Sequence, residues 1–402
     1  MPNCRICKDV VHEFFDFGRH PLSQAFLSAE DAAVPGREYR YRLAIGVCES
    51  CRMVQLLEEI PRERKFHRGY PYHSSGSTVM HRHFTEIGRR FLGTELSGDD
   101  PLLVEIGSND GVTLRTVAEA GVRQLGFEPT GTGGAGRMHR AFFDAGSARE
   151  VRAAEGPADV IYSANTVCDI ADIAEVFAGA DALLTADGVL VFEDPYWGEI
   201  IERTSFDQIY DEHFYFFTAS SVATTAARFG FELVDVERLP VHGGQLRYWL
   251  ARSGRRAPAP AVAEVLAEEE ARGLTSAETL KSFAATLLGI GDDLVALLRK
   301  LSAEGHSIVG YGATAKSSTV LNYCGIGPDL LPFICDTTPA KHGTVTPGSH
   351  IPVREAAAFR SPYPDYALLL AWNHAEEIQA NEEEFRAAGG KWILYVPEVR
   401  IV

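Results

Sequence analysis

Val104-Glu105-Ile106-Gly107-Ser108-Asn109-Asp110-Gly111 is the stretch on which the fold turns. It closes an apolar run, PLLVEIG (101–107), and opens a helical pattern. Glycines at 107 and 111 let the backbone turn sharply and approach a ligand closely. About 20 residues on, Gly126-Phe127-Glu128-Pro129 ends the next strand with a carboxylate that can accept both hydroxyls of a ribose. The turn is not GxGxxG, which disfavours a dinucleotide pyrophosphate. Further strands are expected at DVIYSAN (159–165), GVLVFED (188–194), FELVDVERL (231–239) and LRYWLAR (246–252), with helices between most of them. That alternation is an α/β pattern.

Upstream, HRHFTEIGRRFLGTEL reads as an amphipathic helix over about 80–97, with Phe84, Ile87, Phe91 and Leu92 on its apolar face. Before it, residues 1–75 are rich in Cys, His and aromatics. Cys4-x-x-Cys7 and Cys48-x-x-Cys51 are paired turns that aim four thiolates at one point. A Cys₄ zinc site has no open position and is structural. His12 and His20 are alternative ligands, but four thiols suffice. Cys168, Cys324 and Cys335 read as small buried residues.

Downstream, a Pro/Ala-rich linker opens two charged helices, the second over about 276–303 with Leu280, Phe283, Leu287, Leu294 and Leu298 as its stripe. A second α/β series follows: SIVGYG (307–312), LLPFICD (330–336), YALLLAW (366–372) and WILYVP (392–397). The division expected is a zinc module (1–75), an α/β domain (76–255), and a helical linker with a second α/β domain (256–402). A length of 402 residues fits two or three domains of roughly 150 residues. With 38 Lys and Arg against 55 Asp and Glu, the net charge of −17 argues against broad nucleic-acid or anionic-membrane binding. No stretch reaches the roughly 20 apolar residues of a membrane span, and no secretory leader is evident, so a cytoplasmic protein is expected.

The densest chemistry lies at Phe206-Asp207-Gln208-Ile209-Tyr210-Asp211-Glu212-His213, followed by aromatics. His213 beside Glu212 can act as a general base, and Tyr210 can donate to a developing oxyanion. Tyr70-Pro71-Tyr72-His73-Ser74-Ser75-Gly76-Ser77 is a second polar, aromatic cluster that could reach the same pocket. Gly310-Tyr311-Gly312-Ala313-Thr314-Ala315-Lys316-Ser317 offers a helix N-terminus and a lysine to a diphosphate.

The glycine turn with Glu128 resembles the Rossmann-like methyltransferases that bind S-adenosylmethionine (SAM). Taken with FEDPY (192–196), SFDQIYDEHF (205–214), VHGGQLRY (241–248), VGYGATAKS (309–317), DTTPAKHG (336–343) and AWNHAEE (371–377), the whole chain is similar to the sugar C-methyltransferases of deoxysugar biosynthesis, most of all C-3-methyltransferases of the D-tetronitrose type. The resemblance implies a zinc-binding N-terminal domain with a structural zinc, a Rossmann-like domain that binds SAM, a second Rossmann-like core in the C-terminal domain, a dTDP-linked 4-keto deoxysugar as substrate in antibiotic biosynthesis, and a monomer. It implies His213 as the base that removes the C-3 proton, with Tyr210, Glu212 and Tyr72 assisting. Glu105, Gly107, Asn109, Asp110, Glu128 and Asn165 are the implied SAM residues. Tyr70, His242, Gly243, Lys316, Ser317, Asn322, Lys341 and Asn373 are substrate candidates, with Asp336 and His374 beside them.

Two stretches depart from that pattern. After Glu128-Pro129, where a regular helix is usual, residues 130–140 read TGTGGAGRMHR, with Ala141 following where relatives tend to carry Asp. Asp169 stands where relatives usually carry His. Two alternatives follow: a SAM-independent epimerase or isomerase using the same base, and a non-catalytic sugar-nucleotide-binding protein.

Overall fold

The run PLLVEIG forms the strand Leu102–Ile106, in the middle of a seven-stranded sheet. The computed structural model describes residues 2–66, 74–131, 137–360 and 362–402. All five residues of that strand are buried, as a parallel strand covered on both faces requires. It pairs in parallel with Arg123–Phe127 on one side and Ala158–Ala164 on the other. The chain therefore reverses its lateral direction here, and the carboxyl ends of these strands open a crevice where ligands bind in such sheets. The antiparallel strands Gln245–Arg252 and Phe231–Leu239 complete one edge. The other edge is the two-residue strand Met138–His139, near the end of the stretch 130–140 that departs from the usual helix.

The helix Thr78–Gly93 buries Met80, Phe84, Ile87 and Phe91 and is capped by the Ser77 hydroxyl, which accepts from Met80 N at 3.4 Å. It ends short of residue 97 because Thr94, at φ −129° and ψ −96°, leaves helical geometry.

The second α/β series forms a six-stranded sheet with Ile308–Tyr311 near its centre, between Ile334–Asp336 and Tyr366–Leu369. Its lateral reversal also lies beside the strand that carries the glycine turn. Two helices, Pro260–Arg272 and Ala277–Ala303, connect the two sheets.

The third sheet has four strands: Val11–Pro21, Arg40–Cys48, Val54–Leu56 and Tyr215–Phe216. The last comes from far along the chain, directly after His213. Phe206, just ahead of the same segment, meets Phe17 of the first strand, Tyr323 of the helix Ala315–Tyr323, and Tyr395. Among the described residues no helix is long and apolar enough to cross a membrane.

Candidate functional site

A cavity of about 1320 Å³ lies where both lateral reversals open, and Gln24 with the segment 59–66 of the N-terminal module closes its side. Its walls bring together Gly107, Asn109, Glu128, Asn165, Tyr210, Glu212, His213, His242, Lys316, Lys341 and Asn373 of the expected site residues.

At one end stands the turn after Leu102–Ile106. Gly107 has φ +68°, and a Cβ there would lie 2.2 Å from the Thr166 Oγ1. Glycine is required on both counts. Glu128 is buried, and its carboxylate accepts from Asn109 N at 2.8 Å and from Thr130 N and Oγ1 at 2.9 and 2.6 Å. An ionised carboxylate offers about four lone-pair sites, so capacity remains for a ligand hydroxyl. Asn165, at φ +49°, accepts from the Gln245 side chain and places its N–H 2.8 Å from the Glu193 carbonyl. Glu105 and Asp110 do not line this cavity. Burial pushes the Glu105 carboxyl up to about 8, and it adjoins a small separate pocket with Thr113 and Ala164. Tyr70 and Tyr72 lie outside the described residues. Ser74, which follows them, donates its N–H to Asn109 Oδ1 at 3.0 Å, so the end of that cluster meets the glycine turn.

The middle of the cavity is the segment 206–217. His213 is buried, and its Nδ1 lies 2.9 Å from the Gln208 carbonyl. A carbonyl only accepts, so Nδ1 carries the proton and Nε2 presents its lone pair, 2.9 Å from the Tyr210 hydroxyl. Burial, with the Lys316 ammonium nearby, pushes the imidazole down to about 3. It is therefore neutral at ordinary pH and able to accept a proton.

This segment is tied from all sides. Asp207 accepts from Trp372 Nε1 and the Tyr395 hydroxyl, both at 2.6 Å, and Thr319 donates to the Ile209 carbonyl at 2.7 Å. These anchors come from the C-terminal sheet domain. From the N-terminal side, Ser23 N donates to Asp211 at 2.8 Å and Leu56 N to the Phe214 carbonyl at 2.9 Å. Lys65 reaches in from the helix Arg62–Lys65 and donates to the carbonyls of Asp169 (3.2 Å) and Glu212 (3.3 Å). Sequence reasoning missed Lys65, one of several basic residues in a charged run, because only its burial distinguishes it.

At the far end, the C-terminal turn repeats the design of the first. Ala313 N donates to Asp336 Oδ2 at 2.8 Å, as Asn109 N does to Glu128. Lys341 donates to the Ala313 carbonyl at 2.7 Å. Lys316 turns inward, close enough to Asp207, Glu212, His213, His242 and His374 to act on their charges, and burial lowers its own pKa. Gly243, Ser317 and Asn322 do not line the cavity. Gly243 lies under the Trp372 ring, Ser317 donates to the Thr314 carbonyl at 2.6 Å, and Asn322 ties Ser318 to Pro347.

The four zinc-module thiols lie within 4.8 Å of one another, with Cys4–Cys51 and Cys7–Cys48 at 3.5 and 3.3 Å. Zinc–sulfur bonds of about 2.3 Å in a tetrahedron put sulfurs about 3.8 Å apart, so the donors fit zinc after small adjustment. The amides of Ile6 and Cys51 and the Gln55 side chain already point at these sulfurs. His12 and His20 are engaged elsewhere, with Glu49 and the Phe17 carbonyl.

Three family models match the chain: "Putative zinc binding domain" over 4–66, "Methyltransferase domain" over 80–236, and "C-methyltransferase C-terminal domain" over 240–397. The C-methyltransferase NovU of Streptomyces niveus is 35% identical, with 100% of this chain and 97% of that protein aligned. Solved structures with some likeness include a SAM-dependent methyltransferase from Anabaena variabilis (14% identity, 41% of this chain and 83% of that one, TM-score 0.32). Another is the magnesium protoporphyrin IX methyltransferase of Synechocystis with bound SAM (11%, 43% and 79%, TM-score 0.31). With zinc and SAM as its cofactors, the chain belongs to the family of SAM-dependent C-methyltransferases.

Proposed function

We propose that this protein methylates C-3 of a dTDP-linked 4-keto deoxysugar, in the making of a branched sugar for a secondary metabolite. The observation that carries the reading is His213: a buried, neutral imidazole with Nδ1 anchored and Nε2 facing a cavity that also holds Glu128 and the glycine turn. A proton next to a ketone is acidified by the carbonyl. His213 Nε2 takes it, and the Tyr210 hydroxyl that holds this lone pair in the free protein is released to donate to the enolate oxygen. Glu212, on the same wall, and Lys316 orient the keto sugar. Bound SAM supplies the electrophilic methyl group that the enolate carbon attacks. Glu128 would hold the ribose of SAM, Gly107 and Asn109 its methionine end, and Asn165 the floor between them.

The nucleotide end fits the C-terminal turn, where Asp336 mirrors Glu128 and His242, Asn373 and His374 line the approach. On this reading the working divisions are the zinc module to residue 75, the SAM domain to 255 and the sugar-nucleotide domain beyond. Asp169 and Ala141 both line the cavity, so the departures lie within the site rather than beside it.

The test is incubation with candidate dTDP-4-keto sugars, with and without SAM, followed by mass analysis. A product one methyl group heavier, formed only with SAM, is expected. Loss or inversion of the C-3 hydrogen without any methylated product would overturn the reading.

A further inference from the structure

Asp169 and His213 line the cavity, and Cys168 is buried behind them. One ligand atom from each lies within 4.8 Å of the others. Cys168 Sγ is 3.2 Å from Asp169 Oδ1, near the roughly 3.5 Å edge of a tetrahedron built on usual Zn–S and Zn–O bonds. His213 is already oriented as metal-bound histidines are: Nδ1–H is held by the Gln208 carbonyl, so that Nε2 takes a cation once the Tyr210 hydroxyl, now 2.9 Å away, turns aside. A second, independent feature adjoins this trio. Asp194 is 0% exposed; its Oδ2 accepts from Cys168 N at 3.1 Å, while its Oδ1 has no hydrogen-bond partner. An uncompensated buried carboxylate oxygen is costly and calls for a cation or a donor.

A thiolate, a carboxylate and an imidazole select zinc over the hard cations magnesium and calcium.

We propose that Cys168, Asp169 and His213 form a second zinc site, with the Asp194 carboxylate adjoining it behind Cys168, and that zinc there inhibits the enzyme. Binding releases the Cys168 thiol proton to solvent. The metal takes the same Nε2 lone pair that would remove the sugar proton. The inhibition, unlike the binding, rests on His213 being the base.

The test uses the full-length protein carrying its Cys₄ zinc. After incubation with excess zinc and desalting, the wild type is expected to retain two zinc ions per chain, and Cys168→Ser and Asp194→Asn one. Cobalt added in place of the second zinc should give a thiolate charge-transfer band that Cys168→Ser lacks. Deuterium uptake at C-3 of the keto sugar should slow about 10²-fold or more in the two-zinc wild type and stay unchanged in Cys168→Ser. Retention of a single zinc by the wild type, or of two by Cys168→Ser, would overturn the site. Two zinc ions with undiminished exchange would keep the site and remove His213 as the base.

Discussion

Lys65→Met separates the charge that holds the segment around His213 from the length of the side chain that carries it. Lys65 is 6% exposed and makes two ammonium–carbonyl hydrogen bonds, at 3.2 and 3.3 Å. Bonds to charged groups contribute about 1.5–3 kcal/mol each, so the loss is bounded near 3–6 kcal/mol. Removing a buried ammonium also removes its desolvation penalty, and the net destabilisation expected is about 1–3 kcal/mol. The two carbonyls belong to Asp169 and Glu212, so the freed segment shifts His213 relative to the substrate. A displacement of about 1 Å can cost 10²-fold, and turnover should fall roughly 10- to 100-fold with SAM affinity retained. Burial and Lys316 lower the imidazole most, and Lys65 adds to this, so its removal should raise the His213 pKa from about 3. Single-turnover methyl transfer, denaturant unfolding and a histidine NMR titration read the three effects. Wild-type turnover together with an unmoved or lowered His213 titration would refute the reasoning.

His213→Asn should lower C-3 deuterium uptake by about 10²- to 10⁴-fold while calorimetry shows SAM still bound. Glu128→Gln should weaken SAM binding by about 10- to 150-fold, the equivalent of one hydrogen bond to a charged group, with deuterium uptake retained. Arg247→Met removes the main partner of Glu193, bonded at 2.7 Å, and should cost about 3–5 kcal/mol in denaturant unfolding at neutral pH. Burial pushes the Glu193 carboxyl up, but Arg247 and His83 outweigh it and hold it below its usual value. The pair's contribution is thus present above the unfolded value near about 4.3 and disappears as pH falls through the lower folded value, so the mutant and wild type should converge in acid.

Local patterns carried much of this architecture. PLLVEIG and SIVGYG announce two central parallel strands because apolar runs ending in glycine turns have few other uses in an α/β chain. Paired CxxC turns announce their own cluster for the same reason. Short edge strands such as Met138–His139 and Val353–Glu355 lack that signal; neighbours, not their own residues, hold them in the sheet. The site divides in the same way. His213, Tyr210 and Glu128 stand in legible motifs. Lys65, and the role of Asp207 as acceptor for Trp372 and Tyr395, depend on contacts between residues 104 to 188 apart in the chain. Lys316 is legible as a lysine at a helix N-terminus, but its turn toward His213 follows from how two sheets meet, which no local window records.

The anchoring of the segment 206–217 by three sheets has a consequence for biosynthesis of the chain itself. Its neighbours include Ser23 and Leu56 on one side and Thr319, Trp372 and Tyr395 on the other. A ribosome-bound chain lacking the last of these has His213 in sequence but not in position. On the proposed reaction, proton abstraction would begin only after the final domain has docked, and a prematurely terminated product would be inert instead of an unregulated enolising catalyst.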